Sequence, residues 1–469
     1  MVSTQLILLV HSGIVASLLL FWLLQLWRRG LFRWTTTGFW AWAACLLYFV
    51  LNPIGSLLAN DVLRYDVALS IAGGERRAAW IGLVTCVGIS TFFLIYLRTR
   101  TRPLTWRLER SAQLTPFIWF TILLAISLAL PSLAVYRAGL FGGTEDVVID
   151  LGRFSGDVTG YQYSAHMLLL VPAVFLVLSK SIPGRVLGWL SLALYVVLSV
   201  LDPWGRYLVV SALLAVTFID VVGRRKNWPR VLMIVAVIFV VTLLRVRGHA
   251  SFESRSAFLD LAAQVPENIV ANLGSGDSAM LATWYLESFT KDTLGGYDYG
   301  IPIVNYSLTG LLPSKYFPWK YFLIDSLKSR QDARIGLEIH ALLYGGKSSL
   351  LGSFYAEGGL LAVFLLSAIT GFLMRKMDGM VSAEAPPLVL ATGIVWMSLL
   401  WMIWGSADYW AITNLGIIAL PAIGLWLVSP KVSRKQSVEP ANQPGSRQLR
   451  ARRSTAARPF MSLRGDPPK

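Results

Sequence analysis

Apolar residues fall in long blocks separated by short polar segments. Eleven such blocks lie near 4–27, 36–58, 79–97, 114–136, 161–179, 186–201, 207–222, 231–244, 350–373, 386–405 and 411–428. A helix rises about 1.5 Å per residue, so a block of roughly 20 residues crosses a hydrocarbon core of about 30 Å. The eighth block is short. The sixth and seventh can also be read as one re-entrant pair around Asp202-Pro203-Trp204-Gly205-Arg206. The pattern predicts an all-α polytopic membrane protein with about 11 transmembrane helices (10–12).

The polar segments alternate in charge. One set is short and basic: Arg28, Arg29 and Arg33; Arg98 to Arg110; Lys180 and Arg185; Arg224 to Arg230; Arg375 and Lys376; and the C-terminal tail. It holds 26 Lys and Arg against 6 Asp and Glu, whereas the other set holds 16 against 20. Short loops rich in Lys and Arg stay on the cytoplasmic side. The expected topology is therefore N-terminus outside and C-terminus cytoplasmic. The first block is too long for a cleavable signal, and its positive charges follow it. Trp27, Trp34, Trp80, Trp106, Trp204 and Trp410 fall near block ends, where indoles favour the headgroup zone.

Composition agrees. Hydrophobic residues are 55% of the 469 and charged residues 14%, against about 25% charged in soluble domains. Mean hydropathy is +0.58. This excludes a soluble enzyme, a disordered chain and a disulfide scaffold. The net charge of +16 would suit a nucleic-acid binder. Its partition, +20 on one side and −4 on the other, makes it a record of orientation instead, and no nucleic-acid partner is expected. Cys45 and Cys86 lie inside spans and read as packing residues.

The chain divides into four parts. Residues 1–244 hold the first eight spans, with an external segment at 137–160. Residues 245–349 form a large external loop of mostly short helices, long enough to be functional. Residues 350–428 hold the last three spans. Residues 429–469 are a basic cytoplasmic tail rich in Ser, Pro, Gln and Arg, which cannot bury a core. Within the large loop, Met280, Leu281, Trp284, Tyr285, Ser288 and Phe289 recur at helical spacing, and Gly295-Gly296 and Pro313 mark turns. Such a helix lies on the outer leaflet or caps a site, with rings free to stack on sugars.

No Walker A sequence, no GxGxxG opening a helix, no HExxH and no Asp-x-Asp pair is present. His11, His166, His249 and His340 are scattered, so no metal site is expected. These absences disfavour an ATP-driven pump, a nucleotide-sugar transferase and a zinc hydrolase. Arginine and acid on the external side remain. Arg206 stands between two spans beside Asp202. Arg245, Arg247 and Arg255 follow the eighth span, and Arg330 and Arg334 precede Glu338 and His340. Glu357 opens the ninth span within Gly352-Ser353-Phe354-Tyr355-Ala356-Glu357-Gly358-Gly359, and Asp408 caps the last external turn. A guanidinium fork binds phosphate oxygens in bidentate fashion. Arg206, Arg245, Arg247, Arg255, Arg330 and Arg334 are thus candidates to hold a lipid pyrophosphate and stabilise charge developing on it as it leaves. An acceptor hydroxyl needs a general base. Glu338, His340 and Glu357 are the candidates, and no cofactor is required. Each also has a plainer role as a solvated, headgroup-level or salt-bridged charge.

Trp204-Gly205-Arg206-Tyr207-Leu208, Leu311-Leu312-Pro313-Ser314-Lys315-Tyr316-Phe317-Pro318-Trp319-Lys320 and the glycine-rich stretch from Ser348 to Gly371 carry a family likeness. With about a dozen spans and two enlarged external loops, the chain resembles the O-antigen polymerases, the oligosaccharide repeat-unit polymerases of bacterial envelopes. Arg334 and Gly345 fit the Arg, ten residues, Gly spacing seen in some members; Arg137 has no glycine at that spacing. The local motifs span about 200–371. The resemblance implies transfer of a growing glycan from an undecaprenyl-pyrophosphate carrier onto a new lipid-linked repeat unit at the external face. It also implies a bundle of the lipid-donor (GT-C-type) glycosyltransferase kind. Expected partners are the undecaprenyl-pyrophosphate-linked oligosaccharide and membrane lipid, with room for a flippase and a chain-length regulator of the same pathway. Two alternatives stay open: a lipid-donor glycan ligase, and a flippase or transporter of lipid-linked sugars.

Overall fold

The computed structural model describes residues 3–33, 35–58, 62–101, 114–129, 165–179, 181–201, 206–224, 280–301, 319, 349–381, 388–396 and 409–428. Among these, every regular element is helical. The helices are α1 (Thr4–Arg28), α2 (Thr37–Leu58), α3 (Leu63–Ala72), α4 (Glu75–Arg98), α5 (Leu114–Ala129), α6 (Ala165–Val177), α7 (Ile182–Leu201), α8 (Arg206–Arg224), α9 (Met280–Phe289, continued as a π turn over Thr290–Gly295), α10 (Leu350–Met377), α11 (388–396) and α12 (Tyr409–Val428).

Five described helices, α1, α2, α4, α7 and α10, are long and apolar enough to cross a membrane. Their placement matches the expected blocks to within a few residues. The eighth expected block, 231–244, lies outside the described residues, as does the C-terminal tail, 429–469. The outward faces fit a lipid solvent. Leu9, Val10, Ile14, Leu20, Phe21 and Leu24 of α1 are exposed at helical spacing, and so are Leu361, Phe364, Leu365, Ile369, Phe372 and Leu373 of α10. Apolar stripes of that length facing outward have no place in water. Together the apolar helices and their outward stripes mark a helical membrane protein.

Hydroxyl side chains within the spans solve a local problem. Thr85 donates to the Ile81 carbonyl at 2.8 Å, Thr121 to Phe117 at 2.9 Å, and Thr370 to Leu366 at 2.7 Å. Bonding back one turn satisfies the hydroxyl without water. Helix α2 has a different problem at Pro53, which lacks an N–H and would clash with the carbonyl four residues earlier. A π turn over Leu47–Leu51 precedes it, with the Asn52 N–H bonded to the Leu47 carbonyl, five residues back. The extra residue absorbs the proline and the helix runs on.

Two buried clusters organise the described helices. One gathers α1, α2, α3, α4, α9 and α10; the other gathers α5, α6, α7, α8, α11 and α12. Helix α2 serves both. Its Ala41, Ala44 and Cys45 belong to the first, while Trp40 joins the second and meets Phe218 of α8 edge-on at 5.5 Å. The loop helix α9 departs from an interfacial position on the leaflet. Its Trp284 and Tyr285 are fully buried and it packs on α3, inside the first cluster. Helix α3 itself, in the segment near 59–78, has no strong periodic signal; Gly73 ends it at φ 92°.

Among the described helices the most extensive pair is α4 with α10. Small residues let the backbones meet, the usual basis of packing between spans. A β-carbon at Gly371 would stand 2.5 Å from the Phe92 carbonyl oxygen, which is backbone and cannot swing away. We therefore expect Gly371→Ala to lower stability by about 2 kcal/mol, read as a fall in the thermal midpoint of the purified protein in detergent. An unchanged midpoint would mean that α4 and α10 do not approach this closely.

Candidate functional site

The site is built around a break in α10. Ser349 caps the helix, its hydroxyl accepting from the Gly352 N–H at 3.3 Å. About two turns later Gly358 and Gly359 leave helical geometry, Gly359 at φ 64° and ψ −148°. That conformation is open essentially to glycine alone. The break removes the intrahelical partners of the carbonyls just before it. They are taken up by a turn from the end of α9. The Asp298 N–H donates to the Ala356 carbonyl at 2.9 Å and the Tyr299 N–H to the Glu357 carbonyl at 3.0 Å. The Gly300 N–H then donates to Glu357 Oε2 at 2.5 Å.

The turn needs unusual backbone to do this. Gly296 and Gly300 have φ of 70° and 77°, and Tyr299 has φ 52°. A bulky residue in that region costs of order 1–2 kcal/mol, which the three amide bonds offset. The strained residue is also outstanding in exposure: Tyr299 is 74% exposed. Its neighbour Tyr297 meets it at 81°, ring centroids 6.1 Å apart.

Two ion pairs flank the clip. Lys291 Nζ donates to Asp298 Oδ1 at 2.6 Å, with both side chains less than a tenth exposed. Burial without a partner would be costly for either group. Asp292 pairs with Arg77 from the start of α4. The same carboxylate accepts from Tyr297 Oη at 2.6 Å and from Tyr355 Oη at 2.8 Å, and Tyr355 Oη in turn accepts from Trp80 Nε1 at 2.8 Å. Burial, then the bond to Asp292, raises the Tyr297 phenol above its ordinary range. It remains a donor at any physiological pH. The guanidinium of Arg77 also lies over the Phe289 ring at 5.8 Å.

Glu357 lies at the centre of this network and is 8% exposed. Of the candidates raised by the sequence, it is the one whose side chain is described. Arg206 starts α8, but its side chain lies outside the described residues, as do Arg245, Arg247, Arg255, Arg330, Arg334, Glu338, His340 and Asp408. Among the described residues no three His, Cys, Asp or Glu side chains are grouped to hold a metal ion. Cys45 and Cys86 are both free thiols, Cys45 buried.

Sequence reasoning missed Asp292, Arg77 and the Lys291–Asp298 pair. Arg77 and Asp292 are 215 positions apart, and no spacing rule joins them. A signal did exist in the paired glycines Gly295-Gly296 and Gly358-Gly359, which mark the two bends that meet.

Gly359 gives a direct test of this construction. A β-carbon there would stand 2.7 Å from Tyr297 Oη, itself held by Asp292. Strain and overlap together should cost Gly359→Ala about 3 kcal/mol, measured by thermal unfolding in detergent. A loss below about 0.5 kcal/mol, the usual range for a featureless surface change, would show that no such break exists. Comparison with protein-family models, with characterised proteins and with solved structures finds no match to this chain.

Proposed function

We propose that the chain is a lipid-donor glycosyltransferase that polymerises undecaprenyl-pyrophosphate-linked oligosaccharide repeat units at the external face of a bacterial inner membrane. In this reading the chain spans the membrane about eleven times. The end bearing Glu357 is external and the tail is cytoplasmic, with a bundle of the GT-C kind around the site. The observation that supports it best is Glu357: a buried carboxylate at a helix break, beneath a turn that presents an exposed tyrosine. Acidic groups within apolar helices are costly and usually serve a cavity or a partner. Exposed aromatic rings beside a carboxylate suit a sugar, whose apolar face stacks while its hydroxyls hydrogen-bond.

The chemistry follows from those roles. Glu357, or Glu338 or His340 in its place, takes the proton of an acceptor sugar hydroxyl. That oxygen attacks the anomeric carbon of the donor glycan. The bond from that carbon to the pyrophosphate oxygen breaks, and the lipid pyrophosphate leaves carrying the electron pair. Arg206, Arg245, Arg247, Arg255, Arg330 and Arg334 are the groups available to bind it and stabilise the charge it gains. Tyr297 and Tyr299 would position the acceptor.

Glu357→Gln separates basicity from structure. A glutamine oxygen still accepts from the Gly300 N–H but cannot take up a proton. Elongation of a purified lipid-linked repeat unit should fall by at least about 100-fold, with the thermal midpoint nearly kept and chelator without effect on the wild type. Normal elongation by the variant would move the base to Glu338 or His340. A wild-type protein that carries labelled lipid-linked sugar across a bilayer without elongating it would overturn the proposal in favour of a transporter. Cells lacking the protein should accumulate single units; long polymer left on the carrier would identify a ligase.

A further inference from the structure

The opposite end of the same helices carries a second feature that the proposed reaction does not use. Arg77 and Arg98 on α4 are 21 residues apart in one helix, so the two ends stand roughly 30 Å from each other. At the Arg98 end, α1, α4 and α10 finish together around a cleft of about 620 Å³. Its lining includes Arg29, Arg98, Thr99, Arg100 and Arg375.

The backbone of this cleft is fixed by its own cations. Arg29 Nη1 donates to the Leu97 carbonyl at 2.8 Å, Arg375 Nε to Thr99 at 3.4 Å, and Lys376 Nζ to Arg100 at 3.1 Å. These bonds satisfy carbonyls that the end of α4 leaves without helical partners. Arg375 is also held by Asp378 Oδ2 at 2.9 Å. Asp378 further receives the Thr37 N–H at 2.7 Å and the Tyr96 hydroxyl. Among the described residues, one carboxylate thus balances one of four guanidinium groups. Arg98 and Arg100 form no ion pair among the described residues.

A surplus of guanidinium on a pre-set backbone is a phosphate-binding arrangement. The surroundings extend the description. Trp27 is exposed next to the end of α1 and Phe372 is exposed on the last turns of α10, and both continue the outward apolar stripes of those helices. An acyl chain lying on either stripe would bring its headgroup to the cleft. Basic clefts between spans on the cytoplasmic side are suited to anionic headgroups.

We propose that this cleft binds an anionic phosphate group, presented by a phospholipid headgroup or as a free phosphate, through Arg98 and Arg100 with Arg29 and Arg375 as its frame. The site is independent of the polymerase reading and would stand if that reading fell. Arg98 and Arg100 are the informative positions, because Arg29 and Arg375 also hold the fold.

The test uses the full-length protein in neutral detergent and three additions: phosphatidylglycerol, phosphatidylcholine and inorganic phosphate. Binding is read from the thermal midpoint and from lipid retained in native mass spectrometry. Wild type should be stabilised by phosphatidylglycerol and not by phosphatidylcholine. The double variant Arg98→Gln/Arg100→Gln should unfold at the wild-type midpoint without additive, yet bind phosphatidylglycerol about 30-fold more weakly. Arg98→Lys/Arg100→Lys keeps the charge and should retain part of the affinity. Stabilisation by phosphatidylglycerol alone identifies a lipid site. Stabilisation by inorganic phosphate as well, lost in the glutamine variant, identifies a site for free phosphate. Equal response of the wild type and the glutamine variant, or no response to either anion, overturns the proposal.

Discussion

The break at Gly358–Gly359 leaves two carbonyls without helical partners in an apolar bundle, and that end of the molecule is arranged around satisfying them. A peptide oxygen without a partner at such a depth costs several kcal/mol. The amides of Asp298 and Tyr299 supply the partners, but they can do so only if the turn after α9 is held against α10. Burial of Trp284 and Tyr285 in the first cluster anchors α9. The Lys291–Asp298 pair fixes one side of the turn, and Asp292 with Arg77, Tyr297 and Tyr355 fixes the other. Glu357 is buried as a consequence of this geometry, and its carboxylate is oriented by the Gly300 amide. A side chain positioned by backbone bonds on rigid helices is better suited to chemistry than one on a free loop.

The same physical rule governs the other end, with different means. There α4 ends without a glycine break, and cationic side chains from α1 and α10 reach its last carbonyls. Among the described residues the result is a surplus of positive charge at one end, and two ion pairs beside the buried Glu357 at the other. The helices α4 and α10 therefore do more than span: each contributes residues to both ends, and they meet closely at Gly371.

Much of this organisation was legible in the sequence because the bilayer imposes it. Twenty apolar residues in a row have few alternatives to a spanning helix, and α1, α2, α4, α7 and α10 lie where the hydrophobic pattern puts them. The convergence of Arg29, Arg98, Arg100 and Arg375 at one end also follows the alternation of basic loops. Burial in the loop was not legible. Periodicity identifies α9 as a helix, but the same apolar stripe serves a leaflet surface and a protein core equally well. The choice depends on α3, whose own pattern is weak. The ion pairs were invisible for a related reason: Arg77–Asp292 joins segments far apart in sequence, and its two residues look like ordinary loop charges. Glu357 could be singled out because an acid beside an apolar helix is conspicuous. Its partner, the amide of Gly300, leaves no trace in composition.

Hydrogen exchange reports on the clip between the turn 298–300 and the break in α10 amide by amide. In the full-length protein in micelles, the amides of Asp298, Tyr299 and Gly300 should exchange on the order of 100-fold more slowly than unstructured amides. They should do so although Tyr299 is exposed to solvent. Exchange of all three at the unstructured rate would show that the turn is not bonded to Ala356 and Glu357, and that no such clip holds α9 against α10.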